Sequence, residues 1–180
     1  LFDIKLKGGD MNIKTVIDFR QVMDYVWNKV ENKKIAVLST AADNRVTSRA
    51  VSFIRLGNEL CFQSDERFLK IGQIKINKNV AVCLENIQME AEAEIRGHSS
   101  LPVNRDFVEK YKQEHPGSYE AYTKSRHQVV VRLVPKLITL WRYLDGSPCR
   151  EFIYPERQSA EREVYDVTSN GPLYIPGGSI

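Results

Sequence analysis

Arg49, Ser52, Gln63, Ser64 and Lys70 fall within one stretch of the chain and carry side chains suited to an anionic ligand. In the strand-like run TSRAVSFIR, alternation puts Arg49, Val51 and Phe53 on one side and Ser48, Ala50, Ser52 and Ile54 on the other. A guanidinium that shares a half-buried face with Val and Phe needs an anionic partner. Its planar fork fits a phosphate through paired hydrogen bonds. Lys70 comes early in the next helical pattern, where free backbone N–H groups and the helix dipole also favour an anion. Ser64 adds a hydroxyl donor. A second reading uses the same residues: Arg49 pairs with a nearby glutamate and Lys70 is solvated. Residue type alone leaves both open.

Other chemistries lack their signatures. No GxGxxG follows a strand and no GxxxxGK[ST] occurs, so neither a dinucleotide fingerprint nor a phosphate loop is present. HExxH, paired CxxC and GxSxG are absent. His98, His115 and His127 are scattered, as surface or capping residues are. Glu90, Glu92 and Glu94 share one strand face, which reads as a wet face rather than a carboxylate pair in contrasting environments. Cys61, Cys83 and Cys149 have no metal-ligand spacing, and Cys61 and Cys83 are expected to be buried thiols.

Several elements must position the anion-binding candidates. Val16, Phe19, Met23, Val26, Trp27 and Val30 form an apolar stripe that predicts a helix over Lys14–Glu31. KIAVLSTAA, VTSRAVSFIR and LCFQS read as strands joined by turns at DNR and LGNE. A second helix is predicted over Asp65–Lys78, with Asp65 as its N-cap and Phe68, Ile71 and Ile74 on one face. NVAVCLE and QMEAEAEIRGHSSL read as strands, the latter half-buried. Helices are predicted over Pro102–Glu114 and Ser118–Arg126, separated by HPG. QVVVRLVPKLITLWRYL is a long strand with Pro135 at a bulge or edge. EREVYDV is a further strand candidate. Short connections favour antiparallel pairing, and about six strands with helical excursions suggest a closed or partly closed barrel.

The chain has 180 residues, 42% apolar and 27% charged, with a net charge of +3. That is one domain with a sizeable core. The weak, scattered positive charge does not suggest nucleic acid. No apolar run reaches the ~18 residues of a membrane span. The first ten residues lack a signal-peptide core, and together with the cysteine usage this gives the expectation of a cytoplasmic protein. The expected organisation is a lead over residues 1–13 with no function assigned to it, a barrel domain over 14–153 and an extension over 154–180 that is either loose or docked on a partner subunit.

The ordered motifs resemble the pyridoxamine 5′-phosphate oxidase-like, FMN-binding split barrels, roughly from Lys34 to Phe152. IAVLSTAADNRVTSRAVSF is similar to the family's first hairpin, with Ser-Arg in its second strand. ELCFQSDERFLKIGQIKINKNVAVCLE is similar to its strand, Lys-bearing helix, Asn and strand. VPKLITLWRYLDGSPCR is similar to its closing strand, with Pro, then Trp, then Arg. The resemblance implies a mainly β fold with flanking helices: a six-stranded antiparallel split β-barrel, forming a homodimer with FMN at the subunit interface. It implies that Arg49 and Lys70 hold the FMN phosphate, with Leu69 in the same cofactor-binding stretch. Ala50, Val51 and Ser52 would line the flavin through strand backbone, and Gln63 and Ser64 would contact the phosphate or ring edge. Trp141 and Arg150 would reach FMN from the partner subunit. Enzymes that oxidise pyridoxamine phosphate carry an Arg and a His shortly before the last Arg. Here YLDGSPCR has neither, which points to the general-stress-protein branch, an FMN-dependent oxidoreductase with an unidentified small substrate. The alternatives on this fold are a non-catalytic flavin store, a haem-handling protein with His98 or His127 as axial ligand, and an F420-dependent reductase.

Overall fold

The computed structural model describes residues 13–165. Strand β1 (Ile13–Ile17) leads into helix α1 (Phe19–Glu31), whose N-cap Asp18 accepts a hydrogen bond from the Gln21 N–H at 2.8 Å. Then come β2 (Ile35–Ala42), β3 (Arg45–Leu56) and β4 (Glu59–Asp65) as successive hairpins. The first turn is made by Asp43 and Asn44 with φ of 50° and 59°, a left-handed backbone that Asp and Asn adopt more readily than other side-chain-bearing residues. Helix α2 (Leu69–Ile76), strands β5 (Asn79–Leu84) and β6 (Ile87–His98), helices α3 (Arg105–Glu114) and α4 (Pro116–Tyr122), and strands β7 (Gln128–Leu144), β8 (Ser147–Tyr154) and β9 (Ser159–Val164) complete the order.

The sheet runs β1-β9-β8-β7-β4-β3-β2-β5-β6, and β6 pairs back onto β7. Strands β2 to β7 therefore close a six-stranded antiparallel barrel, the expected class. Closure depends on the length of β7. Its residues 128–133 pair with β4 and 138–144 with β8, while 129–140 pair with β6. The register to β6 shifts at Lys136, where Ala91 meets Pro135 and Glu90 meets Leu137. The missing N–H of Pro135 is thus accommodated at a bulge, as expected. Strands β8, β9 and β1 form a wing off the barrel. The wing is tied in by Glu151, fully buried, whose Oε1 accepts from Arg142 and Arg162 at 2.8 Å.

Inward alternation fills the barrel with Leu38, Phe53, Phe62, Val82, Met89, Val131 and Ile138, and α1 adds Val22, Val26, Trp27 and Val30 to the same core. A smaller cluster lies on the outer face, where Ile54, Cys61 and Val130 pack under Phe107 and Tyr111 of α3. Full burial of a side chain such as Phe107 contributes roughly 1.5–3 kcal/mol.

Several local expectations change. The helix expected from Lys14 begins at Phe19, because residues 13–17 pair with β9, a long-range partner that local periodicity does not reveal. The helix expected from Asp65 is shorter. Asp65 ends β4, where it accepts from the Arg67 N–H at 2.9 Å, and Phe68 takes the N-cap position. Helix α4 begins at Pro116 rather than after HPG, since proline's fixed φ suits a first helical turn. Cys83 is exposed, not buried: β5 turns Val80, Val82 and Leu84 inward and leaves position 83 outside. The strand expected at EREVYDV is β9, and its last two positions lie outside the described residues, as do residues 1–12 of the lead and 168–180 of the extension.

Candidate functional site

The barrel is split between β3 and β4. Their ladder runs from Leu56↔Glu59 to Phe53↔Phe62 and stops there. Beyond it β3 continues on β2 alone, through Arg45–Ser52, and β4 continues on β7, through Gln63–Asp65. Phe53 donates its N–H to Lys34 on the β2 side at 3.1 Å. Strand alternation then turns the N–H groups of Ala50 and Ser52 toward the opening.

A cleft of about 420 Å³ occupies this split. Six of the expected residues line it, Ala50, Val51, Ser52, Gln63, Ser64 and Lys70, together with Phe68, Tyr111, Tyr122 and Gln128. Tyr111 and Tyr122 come from α3 and α4, whose approach to the cleft no sequence motif signals.

Arg49 stands beside this lining on β3, inward-facing and half-buried as its alternation requires. Its Nη1 donates to Thr40 Oγ1 at 2.7 Å and to the Leu38 carbonyl at 3.2 Å, and its Nη2 donates to Thr47 Oγ1. None of these acceptors is charged. Among the described residues no carboxylate forms an ion pair with Arg49, so the glutamate-paired reading of this residue is set aside. Burial holds its pKa below the ordinary arginine value.

Lys70 lies in the first turn of α2, half-buried, with its Nζ 4.7 Å from the centre of the Phe68 ring. Burial first, and then the Arg49 guanidinium, lower its pKa, while Asp65 opposes them. Two cations are thus brought close enough to repel one another at the edge of a cleft. Asp65 is itself bound to Arg67, through Oδ1 to Nε at 2.9 Å and Oδ2 to Nη2 at 2.6 Å. Gln63 accepts from Thr123 Oγ1 at 2.9 Å, and its Nε2 is buried without an acceptor. Ser64 is buried, its hydroxyl 3.3 Å from the Asp65 carbonyl. Leu69, the first residue of α2, is exposed and does not line the cleft.

Trp141 and Arg150 lie elsewhere. They face each other across the β7–β8 ladder, Arg150 in β8 rather than in the closing strand, with the guanidinium 5.5 Å from the indole centre. They line a separate groove of about 430 Å³ with Cys83, Gln88, Leu137 and Phe152. One chain therefore holds the expected residues as two groups, on two surfaces. Residues to which sequence reading gave no role are Thr40 and Thr47, which accept from Arg49, and Gln73, which accepts from both threonines. Their signal was a glutamine one turn after Lys70 and threonines flanking a polar turn, too common to stand out.

No family model matches the chain and no curated protein matches its sequence significantly. Solved structures do resemble it. General stress protein 26 of Bacillus anthracis superposes with a TM-score of 0.58 at 21% identity, over 74% of this chain and 98% of that one. A pyridoxamine 5′-phosphate oxidase-related, FMN-binding protein of Nostoc punctiforme gives 0.56 at 15% identity, over 84% and 98%. The haem-storage protein HutZ of Vibrio cholerae gives 0.58 at 11% identity, over 65% and 92%. With the closed six-stranded barrel, the split beside Ala50–Ser52 and these superpositions in hand, the chain has the split-barrel fold of the pyridoxamine 5′-phosphate oxidase-like proteins.

Proposed function

We propose that the protein is an FMN-binding flavoprotein that acts as a homodimer and oxidises or reduces a small substrate. One observation carries the reading: Arg49, held by neutral groups beside the cleft, and Lys70, which lines it, feel each other's charge and have no ion-pair partner among the described residues. A phosphate would relieve their mutual repulsion and take the guanidinium donors left over. The residues present fit the rest of the group. The free backbone edge at Ala50 and Ser52 offers donors to a planar ring, and the unpartnered Gln63 Nε2 calls for an acceptor. When bound, FMN supplies the redox chemistry. The chain's part is to hold the phosphate, orient the ring along β3 and exclude water with Tyr111 and Tyr122. The substrate is a small molecule, and the absence of an Arg and a His just before Arg150 separates it from pyridoxamine phosphate.

The homodimer reading is supported by the outer face of β3, β2 and β5. Ile35, Val37, Ser39, Ala41, Val46, Ser48, Ala50, Ala81 and Cys83 stand there in register without a charge among them. Val37 and Val46 are 43% and 68% exposed, an unusual use of valine on a surface left to water. In such a dimer Trp141 and Arg150 of one subunit would complete the site of the other.

The test begins with the absorbance of the purified protein and an FMN titration. Arg49→Ala with Lys70→Ala is expected to weaken FMN by over a hundredfold, about 3 kcal/mol for two charge-assisted contacts. Protein that neither carries nor takes up FMN overturns the reading. Haem is disfavoured by the histidines. His98 uses both ring nitrogens, on Ser100 and the Ser125 carbonyl, and His127 uses both, on Glu66 and Arg126. A haem titration with a Soret shift abolished by His98→Ala or His127→Ala would reverse that judgement. Competition between FMN and F420 tests the deazaflavin alternative.

A further inference from the structure

Gln73 is a glutamine with 3% of its surface exposed, one turn along α2 from Lys70. A buried amide in a short helix needs every polar atom partnered, and this one has partners for both ends. Its Oε1 accepts from Thr40 Oγ1 at 2.6 Å and from Thr47 Oγ1 at 2.7 Å. Its Nε2 donates to the Arg45 carbonyl at 2.9 Å. Each hydroxyl gives its only proton to Gln73, so each oxygen is left to accept, and Arg49 donates to both. The amide carbonyl thereby fixes the direction of the whole relay.

The relay joins the strand that carries Arg49 to the helix that carries Lys70. It is also neutral throughout. A carboxylate at position 73 could make the same bonds to the threonines, but it would cancel the charge of Arg49. We infer that Gln73 is a positioning residue: through Thr40 and Thr47 it sets the Arg49 guanidinium against Lys70 and keeps the charge of both for a ligand's phosphate. This rests on the flavin reading above and adds to it a residue that need not touch the ligand.

Riboflavin, which is FMN without its phosphate, provides the control. Kd values for FMN and riboflavin are measured by fluorescence titration of the wild type, Gln73→Leu, Gln73→Glu and Thr47→Val, with thermal melts to confirm folding. Gln73→Leu is expected to weaken FMN by about tenfold, the scale of one or two polar contacts, and to leave riboflavin within about twofold. Gln73→Glu, nearly isosteric, weakens FMN further by neutralising Arg49 and again spares riboflavin. Thr47→Val, which removes one tether from a half-exposed position, gives a smaller loss for FMN alone. If the folded variants lose both flavins equally, or lose neither, the inference is overturned while the flavin reading stands. A wild type that binds neither flavin overturns that reading and this inference with it.

Discussion

Lys70 concentrates the electrostatics of the site. Burial and the Arg49 charge both disfavour its protonated form, so its proton leaves below the 10.5 of a free lysine. Two opposite slopes follow over that alkaline interval. In the ligand-free protein the unfolded chain binds more protons than the folded one, so stability rises with pH. If Lys70 holds the phosphate as proposed, affinity for FMN uses the ammonium and is expected to fall as pH rises through the same lowered pKa. Titrations at stepped pH would show it as a fall in the ratio of FMN to riboflavin affinity, since ionisation of the ring is common to both. In Lys70→Arg the fall moves to higher pH, since a guanidinium keeps its charge. An FMN affinity that does not change through the alkaline range would remove Lys70 from the proposed phosphate site. Cys61 shows the same physics: burial pushes its thiol up to about 12, and it packs as a small apolar residue in the cluster under α3.

At the scale of elements, the split depends on where a ladder stops. Strands β3 and β4 are one hairpin, yet they part at Phe53 and Phe62 because each has a different neighbour beyond that point, β2 for one and β7 for the other. Helix α2 then crosses from β4 to β5, bringing Lys70 to the cleft and burying Gln73 against Thr40 and Thr47. Helix α1 plays a structural part, set by its cap. Asp18→Ala removes the bond to the Gln21 N–H and is expected to cost about 1 kcal/mol. That is a drop of a few degrees in melting temperature, with FMN affinity unchanged because α1 contributes no residue to the cleft. A shift in FMN affinity without a change in melting would contradict this division of labour.

At the scale of the molecule, the two groups of expected residues lie on different surfaces, and the uncharged face of β3, β2 and β5 reaches both, since Ala50 also lines the cleft and Cys83 also lines the groove. A charge placed on that face should separate the subunits of the proposed dimer. Val37→Glu is expected to shift the protein from dimer to monomer in sedimentation analysis and to weaken FMN in parallel. Cys83, opposite Val37 in the β2–β5 register, offers a second readout. Its thiol is expected to resist labelling in the wild type and to react in Val37→Glu, while the buried Cys61 and Cys149 react in neither. Monomers that keep full FMN affinity would refute the shared site. Among the described residues no helix is long and apolar enough to cross a membrane.

The sequence by itself determined the strands of the barrel and the inward turn of Arg49, because strand alternation and polar turns are local properties written in neighbouring residues. It also marked Ser52, Gln63, Ser64 and Lys70, to which the family resemblance added Ala50 and Val51, and the structure gathers these six into one cleft. Tertiary structure decided what depends on distant partners. Pairing with β9 made residues 13–17 a strand instead of a helical turn. Inward burial of Val82 and Leu84 put Cys83 outside. Closure of β7 onto β6 placed Trp141 and Arg150 in a groove of their own. The choice between an ion-paired Arg49 and an available one was also made there. Only the fold brings Thr40 and Thr47 to the guanidinium and Gln73 to those threonines, holding the geometry of Arg49 through neutral groups and leaving its charge uncancelled.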